Sequence, residues 1–430
     1  MTNNTLAAVA PAGNGVVAAA AEDDVQFFAR ANKYLVNTGV PYSPLVVTRA
    51  QGTALYDSRG RRILDFTSGQ MSSLLGHSHP EVVEVVRRYA GELDHLLSNM
   101  LTHPVVDLAE RLARLLPAPL EQSFFLSTGS ETTEAAIKMA KLYTGKFEVV
   151  AFSASYHGLT QGAASATYSA GRKNGGPAMP GQLAFPAPYA YRSVFRTKRS
   201  SSSSSSPSDG SKDEDAYDWQ AEMDYGWAMI DRQSVGSLAA FILEPILSTG
   251  GVLGYLARLR DECHQRGMLL ILDEAQTGVG RTGTMWAFEQ HRDRDGHAVV
   301  PDILALSKTL ALAAERGAQL RAGLLRLQKK HWCIGDVRGR GLLQGIEIIA
   351  DAATKAPGPA LGQAVSDRAM ARGLSCNIVN LPGMGGVFRI APPVTVTPEE
   401  IEEGVRILDE AFEYALATWG KGANGVKKQV

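Results

Sequence analysis

The stretch Met268-Leu-Leu-Ile-Leu-Asp-Glu-Ala-Gln276 predicts a buried β-strand that ends at a carboxylate. Its apolar run leads into Asp273, and a continuous run of this kind is typical of a strand buried on both faces of a parallel sheet. A second apolar run, Ile303-Leu-Ala-Leu306, leads in the same way into Ser307 and Lys308. Ligands of open α/β sheets bind beyond the carboxyl ends of the strands, so we expect Asp273 and Lys308 to face one site.

The neighbouring residues alternate between strand and helix patterns. The expected elements are strands at residues 123–126, 148–152 and 239–243, and helices at residues 131–143 and 256–267. This alternation predicts an α/β fold with a mostly parallel sheet flanked by helices. Further helical patterns at residues 80–116 and 398–418 indicate a smaller domain built from both ends of the chain, and Thr397-Pro-Glu-Glu400 is typical of a helix start.

The length of 430 residues is enough for more than one domain. The expected parts are a disordered tail at residues 1–24, the N-terminal part of a small domain at 25–80, a large domain at 81–330, the C-terminal part of the small domain at 331–420 and a tail at 421–430. Within the large domain, residues 196–215 are a low-complexity, Ser-rich insertion. Such a segment cannot bury apolar surface, so we expect a disordered surface loop there.

Composition and charge argue against several classes of protein. A formal net charge of −1 gives no electrostatic basis for binding nucleic acid or an anionic membrane. No apolar run is long enough to span a membrane, and the first residues lack the basic start of a targeting signal. The three cysteines lie far apart, without the paired spacing of a zinc site or a disulfide framework. We therefore expect a cytoplasmic protein that acts on small molecules.

The turn Leu126-Ser-Thr-Gly-Ser-Glu131 has the features of a phosphate cradle. Its glycine allows close backbone approach, and the helix that follows presents free amide groups and the positive end of its dipole. A phosphate site beside a Lys that can form a Schiff base and an Asp that can pair with a pyridinium nitrogen fits one cofactor, pyridoxal 5′-phosphate (PLP). After the strand at residues 148–152, Tyr156 could stack on the ring of this cofactor, and His157 could hydrogen-bond near it.

Together these residues resemble the class III aminotransferases, which are PLP-dependent enzymes of fold-type I, and within them the 2,2-dialkylglycine decarboxylases. The resemblance covers most of the chain from about residue 25 to residue 418, apart from the insertion. The segments that carry it are residues 68–82, 126–141, 164–173, 239–251, 269–285, 301–310, 333–343 and 381–393. The resemblance implies a large domain with a sheet of the seven-stranded type, a small α+β domain, and a homodimer in the full-length family form.

The resemblance also implies a role for each matching residue. Lys308 is the Schiff-base lysine and later moves a proton, and Asp273 pairs with the pyridine nitrogen. Gln276 bonds the ring hydroxyl of the cofactor. The remaining cofactor contacts are the phosphate cradle of Thr128, Gly129 and Ser130 and the ring-stacking residue Tyr156. At this last position the decarboxylases carry Trp, whereas many class III transaminases carry a smaller aromatic residue.

Three substrate contacts follow from the same resemblance. Arg389 anchors a substrate carboxylate, for which a bidentate guanidinium is well shaped. Gln70 holds the carboxylate that leaves as CO₂, and Thr249 supplies a hydroxyl. The implied reaction is loss of CO₂ from a 2,2-dialkylglycine such as 2-aminoisobutyrate, followed by transfer of the amine to pyruvate. His77 and His79 are expected to be structural residues rather than a metal pair.

The chain departs from the family directly after Lys308. A single helical pattern, Leu310–Lys330, lies between Lys308 and Arg338. Family members carry several dozen more residues here, including a strand, a Thr that contacts the cofactor phosphate of the partner subunit, and dimer contacts. Their loss is expected to leave a sheet edge unpaired, which the Leu310–Lys330 helix would have to cover. The alkali metal site of the decarboxylases would keep Ser98 as a ligand candidate and lose its other ligands.

Three functions are compatible with the sequence. The first is decarboxylation-dependent transamination, which Gln70 favours. The second is ordinary class III transamination of an amino acid or amine, which Tyr156 favours. The third is an inactive, truncated family member, which the loss after Lys308 favours. That loss is either a skipped exon or mispredicted gene, or a true shortened variant.

Overall fold

The computed structural model of the chain describes residues 23–36, 42–93, 96–97, 99–169, 176–197, 216–246, 255–306, 314–380 and 386–419. The helices in these ranges are α1 (Asp24–Tyr34), α2 (Ser68–Met71, one irregular turn), α3 (Pro80–Glu92), α4 (His103–Leu115), α5 (Gly129–Thr144), α6 (Gln161–Ser165), α7 (Trp219–Gln233), α8 (Tyr255–Gln265), α9 (Ala314–Lys330), α10 (Pro359–Ala371) and α11 (Pro398–Trp419). The strands are β1 (Val47–Gln51), β2 (Ala54–Asp57), β3 (Arg62–Asp65), β4 (Glu148–Phe152), β5 (Gln182–Phe185), β6 (Arg196–Thr197), β7 (Ala216–Tyr217), β8 (Leu238–Leu243), β9 (Leu269–Asp273), β10 (Ile303–Ala305), β11 (Ile334–Arg340), β12 (Leu343–Ile348), β13 (Leu374–Ser375), β14 (Asn377–Asn380) and β15 (Gly386–Ile390).

A five-stranded parallel sheet, in the order β10-β9-β8-β4-β5, lies at the centre of the larger core. Every residue of β4 and β8 is buried, as expected for a sheet that is covered on both faces. Phe152, Phe185 and Phe241 pack against one another beneath the sheet. The strands predicted from the apolar runs that end at residues 152, 243 and 273 are confirmed, and α5 and α8 confirm the two predicted helices.

The strand predicted at residues 123–126 is wrong. These residues belong to no strand, and Phe124 and Phe125 are 65% and 42% exposed. A strand needs a neighbour for its backbone hydrogen bonds, and among the described residues no strand of this sheet lies beyond β10. The residues expected to be missing after Lys308 follow β10 directly. The strand expected among those residues would be one such neighbour.

A second core joins the two ends of the chain. Strand β13 pairs in parallel with β3 and completes the sheet β1-β2-β3-β13, while β11, β12, β15 and β14 form an antiparallel sheet in that order. Helices α9 and α10 pack on the strands of the antiparallel sheet, and α11 packs on both of these helices. The helix start predicted at Thr397 is confirmed, because its Oγ1 accepts the Glu400 amide at 3.2 Å.

Helices α3 and α4, which account for the helical pattern at residues 80–116, contribute no buried residue to this second core. Leu112 of α4 packs instead against the larger core. The outer faces of the two helices carry exposed apolar side chains, among them Val86 and Val106. The C-terminal helical pattern therefore builds the joined core, and the pattern at residues 80–116 lies beside the larger one.

The expectation that the helix after Lys308 covers the sheet edge is also wrong. Its described part, α9, packs against α11, β11 and β12. Leu320, Leu324 and Leu327 of this helix are buried in the second core. The apolar face of α9 is thus used among C-terminal elements rather than at β10.

Several predictions fall on residues outside the described ranges, namely residues 1–22 and 421–430 of the tails and residues 198–215 of the insertion. At the base of the insertion, β6 pairs with β7, so residues 196 and 197 are in a strand. Asp23 and Asp24, predicted as tail, begin α1. Over the described ranges, no helix is long and apolar enough to cross a lipid bilayer.

Candidate active site

A cavity of about 580 Å³ is lined by the residues that follow β4, β8 and β9 at their carboxyl ends. Most of the residues singled out in the sequence meet there: Gln70, Thr128, Gly129, Ser130, Tyr156, His157, Asp273, Gln276 and Arg389. The position of the cavity agrees with the rule that open parallel sheets bind ligands at this edge.

Asp273 ends β9 and presents a buried carboxylate to the cavity. Its Oδ2 lies 2.8 Å from Nδ1 of His157, and its Oδ1 accepts the Ala275 amide at 3.0 Å. The other ring nitrogen of His157, Nε2, is buried and has no hydrogen-bond partner among the described residues. The two side chains thus fix the orientation of a buried negative charge, which can pair with a cationic ring nitrogen.

The N-terminus of α5 supplies a second wall. Oγ1 of Thr128 accepts the Glu131 amide at 3.2 Å, and Oε2 of Glu131 accepts the Thr128 amide at 2.9 Å. This capping box leaves the first amides of the helix, those of Gly129 and Ser130, without an intrahelical acceptor. A Cβ atom at Gly158 would collide with Ser130, so only glycine lets the loop after β4 approach α5 this closely. Amides in this arrangement suit an anion such as phosphate.

Arg389 brings a half-buried positive charge to the cavity from β15. Burial lowers the pKa of its guanidinium, while the charges of Glu244 and Tyr156 act in the opposite direction. Its Nε is buried and has no hydrogen-bond partner in the part of the chain that the structure describes. Such a cation can bind a substrate carboxylate, and Glu244 is a neighbouring carboxylate that competes with the substrate for it.

Gln70 reaches the cavity from a strained turn. Within this turn φ is 42° at Ser68, 65° at Gly69 and 61° at Met71. Residues other than glycine rarely adopt this left-handed region. Backbone strain of this kind persists only where the surrounding structure holds it, and it is concentrated at functional sites.

Lys308, Thr249 and Ser98 lie outside the described residues, so their predicted roles stay predictions. The position at which the chain approaches Lys308 is described. Ala305, the last residue of β10, is in register with Asp273 in the neighbouring strand. The chain therefore leaves the sheet beside Asp273, three residues before Lys308.

The predicted alkali metal site stays a prediction for the same reason. Among the described residues, the side chains that could together hold a metal ion are Asp293, Asp295 and His297. These three residues are partly or fully exposed, and none of them lines the cavity. His77, expected to be structural, places Nε2 at 2.8 Å from Oδ2 of the buried Asp65.

Sequence reasoning missed part of the cavity wall. The additional lining residues are Gly158, Ser169, Glu244, Ile246, Ala275, Thr277 and Val379. Glu244 directly follows β8, and its Oε2 accepts the Tyr156 amide at 3.1 Å. The rule that singled out Asp273, an acidic residue at the end of a buried strand, would have found Glu244 as well.

The sequence matches the family described as aminotransferase class-III over residues 35–313 and 311–412. The chain is 44% identical over 449 residues to an uncharacterised aminotransferase of Schizosaccharomyces pombe. The alignment covers 91% of this chain and 96% of the relative. It is 32% identical over 431 residues to a mitochondrial alanine–glyoxylate aminotransferase 2 homolog of Arabidopsis thaliana, covering 87% of this chain and 83% of the relative.

Among solved structures, the chain resembles taurine:2-oxoglutarate aminotransferase of Bifidobacterium kashiwanohense in complex with PLP and glutamate. The TM-score is 0.77 at 22% identity, over 91% of this chain and 98% of the other. This likeness confirms the expected fold, that of the fold-type I transaminases.

The matches also bear on the residues expected to be missing after Lys308. The two blocks of the family match meet at residues 311–313. The alignment to the S. pombe relative spans 449 positions although it covers only 91% of a 430-residue chain. Several dozen positions of that relative therefore have no counterpart here, in agreement with the expected loss.

Proposed function

The chain belongs to the class III aminotransferases, and we propose that it carries out decarboxylation-dependent transamination with PLP as its cofactor. The proposed substrates are a 2,2-dialkylglycine such as 2-aminoisobutyrate and pyruvate, an amino acid and a keto acid of the kind that aminotransferases use. The observation that carries this proposal is the presence of Gln70 and Arg389 in one cavity with Asp273.

The cavity residues fit PLP. The buried carboxylate of Asp273 suits a protonated ring nitrogen, and the first amides of α5 suit a phosphate. The half-buried side chain of Tyr156 lines the same cavity and can stack on a planar ring. Lys308 is the proposed attachment point, because it follows Ala305 by three residues, a span of at most about 10 Å.

Each protein group then has a defined task. When bound, PLP supplies the electron sink for the electron pair left by a broken bond at the substrate α-carbon. Arg389 would bind a substrate carboxylate, and Lys308 would move the proton at the α-carbon as a general acid and base. Gln70 would orient the group whose bond is to break, so the choice between losing CO₂ and losing a proton depends on its contact.

The test compares two reactions of one enzyme, in a form that carries the missing family segment. Incubation with 2-aminoisobutyrate and pyruvate should release CO₂ and acetone and form alanine. The Gln70→Ala change should slow CO₂ release roughly 10- to 100-fold more than transamination of L-alanine, because the lost hydrogen bond holds only the leaving carboxylate. The matched control Gln233→Ala, on the exposed outer part of α7, should change neither rate. Equal losses in both reactions would make Gln70 a structural residue.

Ordinary class III transamination is the second candidate. Tyr156 favours it, because the decarboxylases carry Trp at this position. The names of the relatives favour it as well, since they are aminotransferases. Rapid transamination of L-alanine without CO₂ release from 2-aminoisobutyrate would establish this candidate in place of the first.

A homodimer and a cytoplasmic location complete the proposal. Neither α3 nor α4 has a buried residue, and the neighbouring Leu97 and Leu101 are 62% and 78% exposed. An apolar surface of this extent indicates an interface, and a second copy of the chain is the partner that family membership favours. All three cysteines are free and buried, which fits a reducing compartment. Light scattering of the purified protein would report the oligomeric state.

A further inference from the structure

Arg281 is fully buried and does not line the cavity. A guanidinium without access to water is costly unless several hydrogen bonds hold it, so its contacts indicate what it does. One side of the side chain meets the Ser68–Met71 turn: Nη2 donates to Oγ of Ser68 at 3.0 Å and to the Met71 carbonyl at 3.4 Å. This is the turn that carries Gln70.

The other side of the guanidinium meets the second core. Nη1 donates to the carbonyl oxygens of Leu342, at 3.3 Å, and Pro392. Oγ of Ser68 donates in turn to the Ala391 carbonyl at 2.7 Å. Pro392 and Ala391 follow β15, the strand that carries Arg389. One side chain therefore ties the turn of Gln70 to the chain next to Arg389.

The same turn is held by an opposite charge. The carboxylate of Asp65 is buried and accepts the backbone amides of Thr67 at 3.0 Å and Gly69 at 3.2 Å. Burial lowers the pKa of Arg281, and the charge of Asp65 opposes that shift. The turn thus has an anion on its amide side and a cation on its carbonyl and hydroxyl side.

Strain occurs on both sides of Arg281. Ser68 and Met71 have positive φ, and so does Val279, at 60°, two residues before Arg281. A β-branched residue in this region is a genuine outlier. Strained backbone needs surroundings that hold it. Two of the four hydrogen bonds of Arg281 hold the turn, and the other two fix the guanidinium to the second core.

We propose that Arg281 is a positioning residue for substrate selection, which holds the Ser68–Met71 turn so that Gln70 meets the substrate beside Arg389. This inference rests on the proposed role of Gln70 in choosing the group that leaves. Arg281 touches neither substrate nor cofactor in this scheme. Its effect on selectivity passes through Gln70.

The test is a double-mutant cycle in the full chain loaded with PLP, run side by side with the form that carries the missing segment. The variants are Arg281→Lys, which keeps the charge and loses the two-armed contact, Ser68→Ala, which removes one bond, and Gln70→Ala. The readout is the ratio of CO₂ release from 2-aminoisobutyrate to transamination of L-alanine.

Arg281→Lys should lower this ratio roughly tenfold, and adding it to Gln70→Ala should lower it no further. Ser68→Ala should act in the same direction by a smaller factor, which keeps the test valid if Arg281→Lys fails to fold.

Arg266→Lys is the matched control, since Arg266 is also multiply hydrogen-bonded, to Asp231 and Glu262, but does not contact the turn. Its ratio should equal that of the unmodified enzyme. Additive effects of Arg281→Lys and Gln70→Ala, or an unchanged ratio with both rates lowered alike, would overturn the inference and leave Arg281 as a purely structural residue.

The failure of the proposed function would look different. If the unmodified enzyme releases no CO₂, decarboxylation is refuted. The double-mutant cycle is then measured with a different ratio, that of L-alanine transamination to isopropylamine transamination. Isopropylamine has the carbon skeleton of 2-aminoisobutyrate without its carboxylate. Non-additive loss of selectivity for the carboxylate-bearing donor would still support Arg281. If Gln70→Ala changes neither ratio, the inference is overturned.

Discussion

The inner strands of the central sheet and its edge at β10 differ in how completely they are covered. Strand β8 is buried along its whole length, with a neighbour on each side. Strand β10 has partly exposed residues at Ile303 and Leu304 and is the last strand of the sheet in the described ranges. Phe124 and Phe125 shortly precede helix α5, whose N-terminus lines the cavity. Both side chains are exposed, although a strand was expected at these residues.

The difference in coverage between the inner strands and β10 divides the site into two parts. One part is formed by residues of this chain, and the other is expected to need the residues that are missing after Lys308. Asp273 and His157 are held by buried strands and hydrogen bonds. Lys308, by contrast, follows the incompletely covered β10. The 430-residue chain therefore contains a formed cavity. The attachment of PLP at Lys308 is expected to depend on the incompletely covered sheet edge at β10.

The largest effect is expected from completing the edge. A chimera that carries the extra residues of the S. pombe relative after Thr309 should be a soluble dimer, whereas the 430-residue chain should aggregate or melt early. Regaining one charge-assisted phosphate contact should also raise PLP affinity roughly tenfold or more. Light scattering and a PLP titration measure both. A stable, PLP-loaded, active dimer from the chain as written would contradict this prediction and make the shortening a genuine variant.

A pair of phenylalanine substitutions should sharpen the comparison. Phe241→Ala, in the buried strand β8, should lower the free energy of unfolding by about 3–5 kcal/mol. Phe124→Ala, at the exposed edge, should change it by less than about 0.5 kcal/mol. Urea unfolding measures both values.

In the chimera, Phe124→Ala should become more costly, because the restored strand would cover this side chain. An equal and small cost in both backgrounds would show that the missing segment lies elsewhere.

On the well-covered side of the sheet, ionisation of Glu274 should cause a smaller, pH-dependent change in the free energy of unfolding. Burial raises the pKa of its carboxyl from 4.5 to about 7, against the hydrogen bonds from the amides of Ala287 and Phe288. Between these values the folded protein holds a proton that the unfolded chain releases, so stability should fall as the pH rises from 4.5 through 7.

The total loss should be at most about 3 kcal/mol. Urea midpoints at several pH values should show this slope in the unmodified protein and a reduced slope in Glu274→Gln. Identical slopes in the two proteins would assign the pH dependence to other groups.

The sequence predicts the covered side of the sheet well and the edge poorly, for a physical reason. The strand ending at Asp273 is visible in a local apolar run, and the cap of α5 is visible in the spacing of Thr128 and Glu131. Residues 123–126 have strand-like composition, but pairing depends on a neighbour elsewhere in the chain. The partners of α9 are likewise decided by tertiary packing, which no local pattern contains.

The candidate site follows the same division. Most of its predicted residues line one cavity because they follow strands of one parallel sheet. Glu244 could have been found by the same reasoning. Arg281 could not, because a single Arg in a glycine-rich loop gives no signal of the four hydrogen bonds that it makes to the Gln70 turn and the second core.

The attachment of PLP to Lys308 is the most direct test of the site as a whole. The chimera with the restored segment, purified and loaded with PLP, should show a visible absorbance band that borohydride bleaches, and peptide mapping should place the reduced label on the peptide that contains Lys308. Asp273→Asn should weaken the band, and Lys138→Arg, on the partly exposed helix α5, should leave it unchanged. A label on another lysine, or a folded protein that takes up no PLP, would contradict the assignment of this cavity as the active site.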